Sequence, residues 1–121
     1  MASFELERFL LYLRAERNFS PQTIRAYKSD ISEFSKFLKL KYPGIGFNKV
    51  TRLIVRDFLS TLARFKRATF IRHIASLKTF FRYLLRENII DEDPTYSLSF
   101  PKKEKRMLLR HLHGAKDGNY R

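Results

Sequence analysis

Apolar residues recur every three or four positions along almost the whole chain, and no stretch alternates strictly between apolar and polar as a half-buried strand would. The pattern predicts an all-α protein, a compact bundle of four main helices. Ser3 is the expected cap of the first, with Glu5 and Glu7 in the opening turn where the helix dipole favours acids. That helix should run to about residue 17, with Phe9, Leu10 and Leu13 on one face and Leu6 beside them. Ser20 followed by Pro21 is a strong start signal for the second: a hydroxyl can satisfy an orphan amide, and proline loses nothing at the first helical position. This helix should continue to about Lys41 with Ile24, Tyr27, Ile31, Phe34 and Leu38 inward, before a loop marked by Pro43, Gly44 and Gly46.

Thr51 is the expected cap of a third helix reaching about residue 65, with Ile54, Val55, Phe58, Leu62 and Phe65 inward. A fourth should span about 69 to 87 and turn Phe70, Ile74, Leu77, Phe81, Leu84 and Leu85 to the core. The connection FKRA holds neither glycine nor proline, so this break is the least clearly marked. Asn88 and the run Asp91, Glu92, Asp93, Pro94 should close the last helix, because the residue before proline is pushed out of α geometry. Those three acids read as turn chemistry rather than a metal patch.

Opposite the apolar stripe of the fourth helix, the pattern places Thr69, Arg72, Ser76, Thr79, Tyr83 and Arg86, small hydroxyls between cations and an aromatic. Such a face can approach a phosphate backbone or a groove, since short side chains admit the helix while arginine supplies charge and donors. The second helix offers a matching arc of Arg25, Lys28, Ser29, Ser32, Lys36 and Lys39, and its amino-terminal end, with Ser20 and Thr23, presents amides suited to a phosphate.

Charge strengthens this reading. The 121 residues hold 25 Lys and Arg against 12 acids, a net +13. Residues 1–100 alone carry 18 basic and 10 acidic side chains, so the folded part is basic without the tail. A polyanionic partner is the simplest explanation. With 44% apolar residues the chain suffices for one core. Residues 1–100 should form that unit and 101–121 a basic linker or tail. The chain lacks cysteine, which excludes disulfides and cysteine zinc sites. The opening segment is interrupted by Glu5, Glu7, Arg8 and Arg14, unlike a signal or a membrane span, so a cytoplasmic or nucleoid-associated protein is expected.

Enzymatic readings find little support. His73, His111 and His113 have no carboxylate at metal-ligand spacing, and there is no glycine-rich phosphate loop, zinc-protease motif or nucleophile elbow. No cofactor or metal is expected. A helical protein-interaction module meeting an acidic partner is the main alternative to DNA binding. RNA binding is weaker, since exposed aromatic platforms on strands are missing.

Two segments have a distinctive spelling. SPQTIRAYKSDISEFSKFL, residues 20–38, resembles the Ser-Pro-x-Thr-x-x-x-Tyr-x-x-Asp-Leu-x-x-Phe-x-x-Phe-Leu signature of the core-binding domain of phage integrases and Xer-type tyrosine recombinases. TFIRHIASLKTFFRYLLRENIIDEDP, residues 69–94, is similar to that domain's Thr-x-x-Arg-x-Leu segment, and Phe100-Pro101-Lys102 to the start of its interdomain linker. The resemblance implies a SAM-like helical domain that forms one jaw of a clamp around duplex DNA, with its second and fourth helices against the duplex. It places Thr23, Arg25, Lys28, Thr69, Arg72 and Ser76 at the interface, with Ser20, Ser29, Lys36, His73 and Thr79 completing it. Tyr27 and Asp30 also match the motif, Tyr27 from the buried stripe. Ile31 stands where the family has Leu, and the connection before Thr69 lacks the family's frequent glycine turn. The family's catalytic Arg, Lys, His-x-x-Arg and nucleophilic Tyr have no counterpart here, and Tyr120 has no arginine constellation around it. The resemblance therefore implies a non-catalytic part of a recombinase. Full-length relatives act as tetramers, and this segment alone should be monomeric.

Overall fold

A computed structural model describes residues 4–98, and within them there are four α-helices and no strand: α1 Phe4–Ala15, α2 Pro21–Lys41, α3 Arg52–Thr61 and α4 Arg67–Arg86. The expected Ser3 cap, the tail from 101, His111, His113 and Tyr120 lie outside the described residues. α2 has the expected bounds, with Ser20 Oγ accepting the Thr23 amide and Pro21 in the first turn. Asn18 and Asn88 both take left-handed φ values, 54° and 62°. Behind them the amides of Phe19 and Ile89 donate to the carbonyls of Leu13 and Leu84, so asparagine, which tolerates this conformation, closes α1 and α4 alike.

α2 and α4 pack against each other, and α1 lies on both. Phe9 of α1 meets Tyr27 of α2 at 5.8 Å and Phe80 of α4 at 5.1 Å between ring centres. Phe34 forms a second aromatic focus with Phe58 of α3 at 5.0 Å and Phe81 of α4 at 5.9 Å. Most of these contacts are edge-to-face, the arrangement that the ring quadrupoles favour. After Gly44, whose φ of 90° suits a residue without a Cβ, a 3₁₀ turn at Phe47–Lys49 pushes Phe47 into the same cluster. Phe34 and Phe81 are both fully buried. Ile31, Phe58, Leu62, Ile74, Leu77 and Leu84 join them as expected, while Leu10 and Ile24 pack against the cluster half-buried.

Four expectations are corrected. α3 ends at Thr61 rather than near residue 65, because the Ser60 and Thr61 hydroxyls donate back to the carbonyls of Asp57 and Phe58 and the next amides switch to three-residue spacing. Phe65, expected inward, is consequently exposed, and α4 begins two residues before Thr69. Leu85 is also exposed rather than buried, while Phe37, Leu59, Ile71 and Phe80 join the core from positions outside the expected stripes.

Beyond α4, Asp93 accepts from both the amide and the hydroxyl of Thr95, the turn chemistry expected of that acidic run. Lys78 ties this turn to the bundle by donating to the carbonyls of Thr95 and Leu98. Burial pushes its amino group below the ordinary lysine range.

Candidate nucleic-acid interface

Helical spacing brings the cations of α2 to its outer side. Arg25, Lys28, Ser29 and Lys36 are exposed, and the side chains of Arg25, Lys28 and Lys36 make no ion pair or hydrogen bond among the described residues. Ser20 and Thr23 are exposed as well, but they satisfy each other: Ser20 Oγ donates to Thr23 Oγ1 at 3.0 Å and accepts the Thr23 amide at 3.2 Å. With proline at 21 and the Ile24 amide on the Ser20 carbonyl, this helix end offers fewer open donors than the sequence suggested.

α4 departs further from expectation. Thr69 and Thr79 are half-buried and Arg72 is exposed, yet Ser76 and Tyr83, expected on the outer face, and His73, expected at the interface, are buried. Tyr83 is covered by Phe9 and Tyr12 of α1, with ring centres 5.4 and 4.8 Å away, whereas His73 and Ser76 lie against Asp30 of α2, only 1% exposed. Its carboxylate accepts from Arg72 Nε at 3.1 Å, Arg72 Nη2 at 2.7 Å and Ser76 Oγ at 2.6 Å, which pins α4 to α2 and turns Ser76 inward. The pair with Asp30 holds the Arg72 guanidinium above even the ordinary arginine range. Its side chain nonetheless remains 53% exposed. A partner for Arg72 forty-two residues upstream is invisible to periodicity; the one signal in the sequence was that Asp30 and Arg72 both match the quoted motifs.

His73 Nε2 lies 3.5 Å from Asp30 Oδ1, while Nδ1 is buried without a partner among the described residues. Burial pushes this imidazole below the ordinary range, outweighing the attraction of Asp30. Below about pH 6.5 the unfolded chain therefore takes up a proton that the folded chain refuses. Stability should be level above that pH and fall as pH drops from it toward His73's lower folded value. Thermal melts between pH 7 and 5 check this: the wild-type decline should flatten in His73→Gln, and an equal decline in both would assign it elsewhere.

Beyond Thr79 the surface dips into a cleft of about 560 Å³, walled by Phe19, Tyr27 and Thr79 and edged by Arg17, Arg82 and Arg86. Arg86 is largely spoken for, stacked 4.5 Å over Tyr12 and paired with Glu87 and Glu16. Arg17 stacks on Phe19, and Arg82 makes no ion pair or hydrogen bond among the described residues. Among the described residues no group of side chains could hold a metal ion, and no helix is long and apolar enough to cross a membrane.

Comparison with known proteins gives one family. The phage integrase N-terminal SAM-like domain matches residues 6–88. Tyrosine recombinase XerC of Listeria innocua is 43% identical over 103 residues, which cover 84% of this chain and 34% of that protein. Tyrosine recombinase XerC of Anoxybacillus flavithermus is 37% identical over 87% of this chain and 35% of its own length. Tyrosine recombinase XerD of Oceanobacillus iheyensis is 31% identical over 88% and 37%. The chain thus spans about a third of the length of these relatives. No solved structure matches it. An all-α bundle whose α2 and α4 carry the quoted motifs, matched over residues 6–88, belongs to the phage integrase N-terminal SAM-like domain family.

Proposed function

We propose that this chain is the DNA-gripping domain of a tyrosine-type site-specific recombinase, holding one side of a duplex with α2 and α4 and leaving strand cleavage to residues it does not supply. The observation that carries this reading is the cationic face of α2, where Arg25, Lys28 and Lys36 make no ion pair or hydrogen bond among the described residues, on a helix that the buried Asp30 contact joins to the exposed Arg72 of α4. Cations that have no protein partner have their charge available for phosphates, and two helices clamped side by side present it as a surface rather than a scatter. The names of the relatives, tyrosine recombinases, support a DNA partner.

Most of the affinity should come from phosphates and so depend steeply on salt. The chain alone is taken to be monomeric, cytoplasmic and inert toward DNA strands.

A salt titration of duplex binding tests the reading. Arg25→Ala and Lys28→Ala should each make the plot of log K against log salt shallower by roughly 0.9, one released counterion, whereas Lys49→Ala, in the 43–50 loop, should not change the slope. Identical slopes for all four proteins, with helicity intact, would put the duplex on another face. Binding insensitive to salt would favour a protein partner.

A further inference from the structure

Arginine carries five N–H donors in a fixed plane. Asp30 occupies one edge of the Arg72 guanidinium, taking Nε–H and one Nη2–H, and Ser76 Oγ donates to the same carboxylate. The opposite edge, made of Nη1 and the second Nη2 hydrogen, is left with two parallel donors on a side chain that stays half exposed. The plane and direction of those donors are fixed before any ligand arrives, which is what a flexible arginine on a helix lacks. From this geometry we infer that Arg72 is a specificity-determining residue that reads a guanine in the major groove, its free edge donating to O6 and N7. The inference rests on the proposed DNA contact of α2 and α4 and adds to it a ligand and a role.

Guanine is the base that suits the edge. It alone presents two adjacent acceptors in the major groove, whereas adenine offers one acceptor beside a donor, cytosine a donor, and thymine one acceptor beside a methyl group. A phosphate also accepts two parallel donors, but the Asp30 carboxylate on the far side of the same guanidinium already balances its charge and repels a second anion. An uncharged base edge meets no such repulsion. On α4 the positions three residues before and after Arg72 are the small Thr69 and Ala75, so this side of the arginine carries no long side chain at helical spacing.

Selection from a randomised duplex pool with the full chain provides the test. The wild type should enrich a guanine at one fixed position, with a preference of about ten-fold over other bases. Arg72→Lys keeps the charge and can still meet Asp30 but lacks the fork; it should lose that enrichment while other selected positions persist. Asp30→Asn should blunt it, because the plane is less firmly held. With 7-deazaguanine at the selected position, which removes N7, the wild type should weaken about ten-fold and Arg72→Lys hardly at all. Circular dichroism confirms the helical fold of each variant. A guanine that persists in Arg72→Lys, or no fixed guanine despite salt-dependent binding by the wild type, overturns this inference and leaves the proposed function standing. Absence of any salt-dependent duplex binding by the wild type overturns both.

Discussion

Replacing Phe34 by alanine is expected to cost about 4 kcal/mol, the largest effect of any single substitution considered for this chain. Phe34 is fully buried and touches Phe37 on its own helix, Phe47 in the loop, Phe58 of α3 and Phe81 of α4. Four separately positioned rings cannot collapse together into the space of one, so the cavity term should be near its upper range, and the edge contacts with Phe58 and Phe81 are lost besides. A domain of this size holds on the order of 5 to 15 kcal/mol in total, so the variant should be marginal at best. Urea unfolding followed by helicity measures it directly. Phe34→Leu should retain most of the stability, and a loss below about 1 kcal/mol for alanine would mean that the aromatic focus is not a cooperative unit.

The same residue shows what the sequence made legible. Phe34 falls on a stripe whose helix is bounded by a hydroxyl cap and proline on one side and Tyr42-Pro43-Gly44 on the other, and both bounds of α2 were readable because the signals are local. The end of α3 carries no such punctuation. Ser60 and Thr61 terminate it by bonding backwards, and a pair of adjacent hydroxyls in a helix-favouring stretch is a weak signal until the carbonyls they meet are seen. Phe65 was read inward only because the helix was assumed to reach it.

The candidate site was legible to a different degree on each helix. α2 has one buried side, so its outer arc of Arg25, Lys28, Ser29 and Lys36 follows from periodicity alone. α4 receives α1 and α2, and Phe58 of α3 meets His73, so more than a simple stripe of α4 is covered. A helical wheel that assigns polar residues outward misplaces Ser76 and Tyr83 there, because Ser76 is buried on a carboxylate of another helix and Tyr83 under Phe9 and Tyr12 of α1. The motif that carries the family resemblance did contain the answer: its Asp and its Arg, Asp30 and Arg72, are partners. Periodicity cannot pair letters that are far apart in sequence, and the resemblance alone gave the arginine a role and the aspartate none.

Removing that partnership should be the second large effect. Asp30→Ala is expected to destabilise the fold by about 2 kcal/mol, the loss of a buried carboxylate with charge-assisted hydrogen bonds. The figure is held below that for a fully buried ion pair because Arg72 is 53% exposed and can recover hydration when its partner goes. Ser76 and His73 cannot, since both are buried, and Ser76 Oγ would lose its 2.6 Å acceptor outright. The energy should therefore lie more with the buried serine than with the visible salt bridge. A double-mutant cycle separates the two: Asp30 with Ser76 should show coupling of about 1 kcal/mol or more, and Asp30 with Arg72 no larger a coupling despite its two hydrogen bonds. Urea midpoints at pH 7 for the single and double alanine variants give both numbers. A dominant Asp30–Arg72 coupling would mean that the guanidinium is a structural strut first, leaving less of it free to serve a ligand.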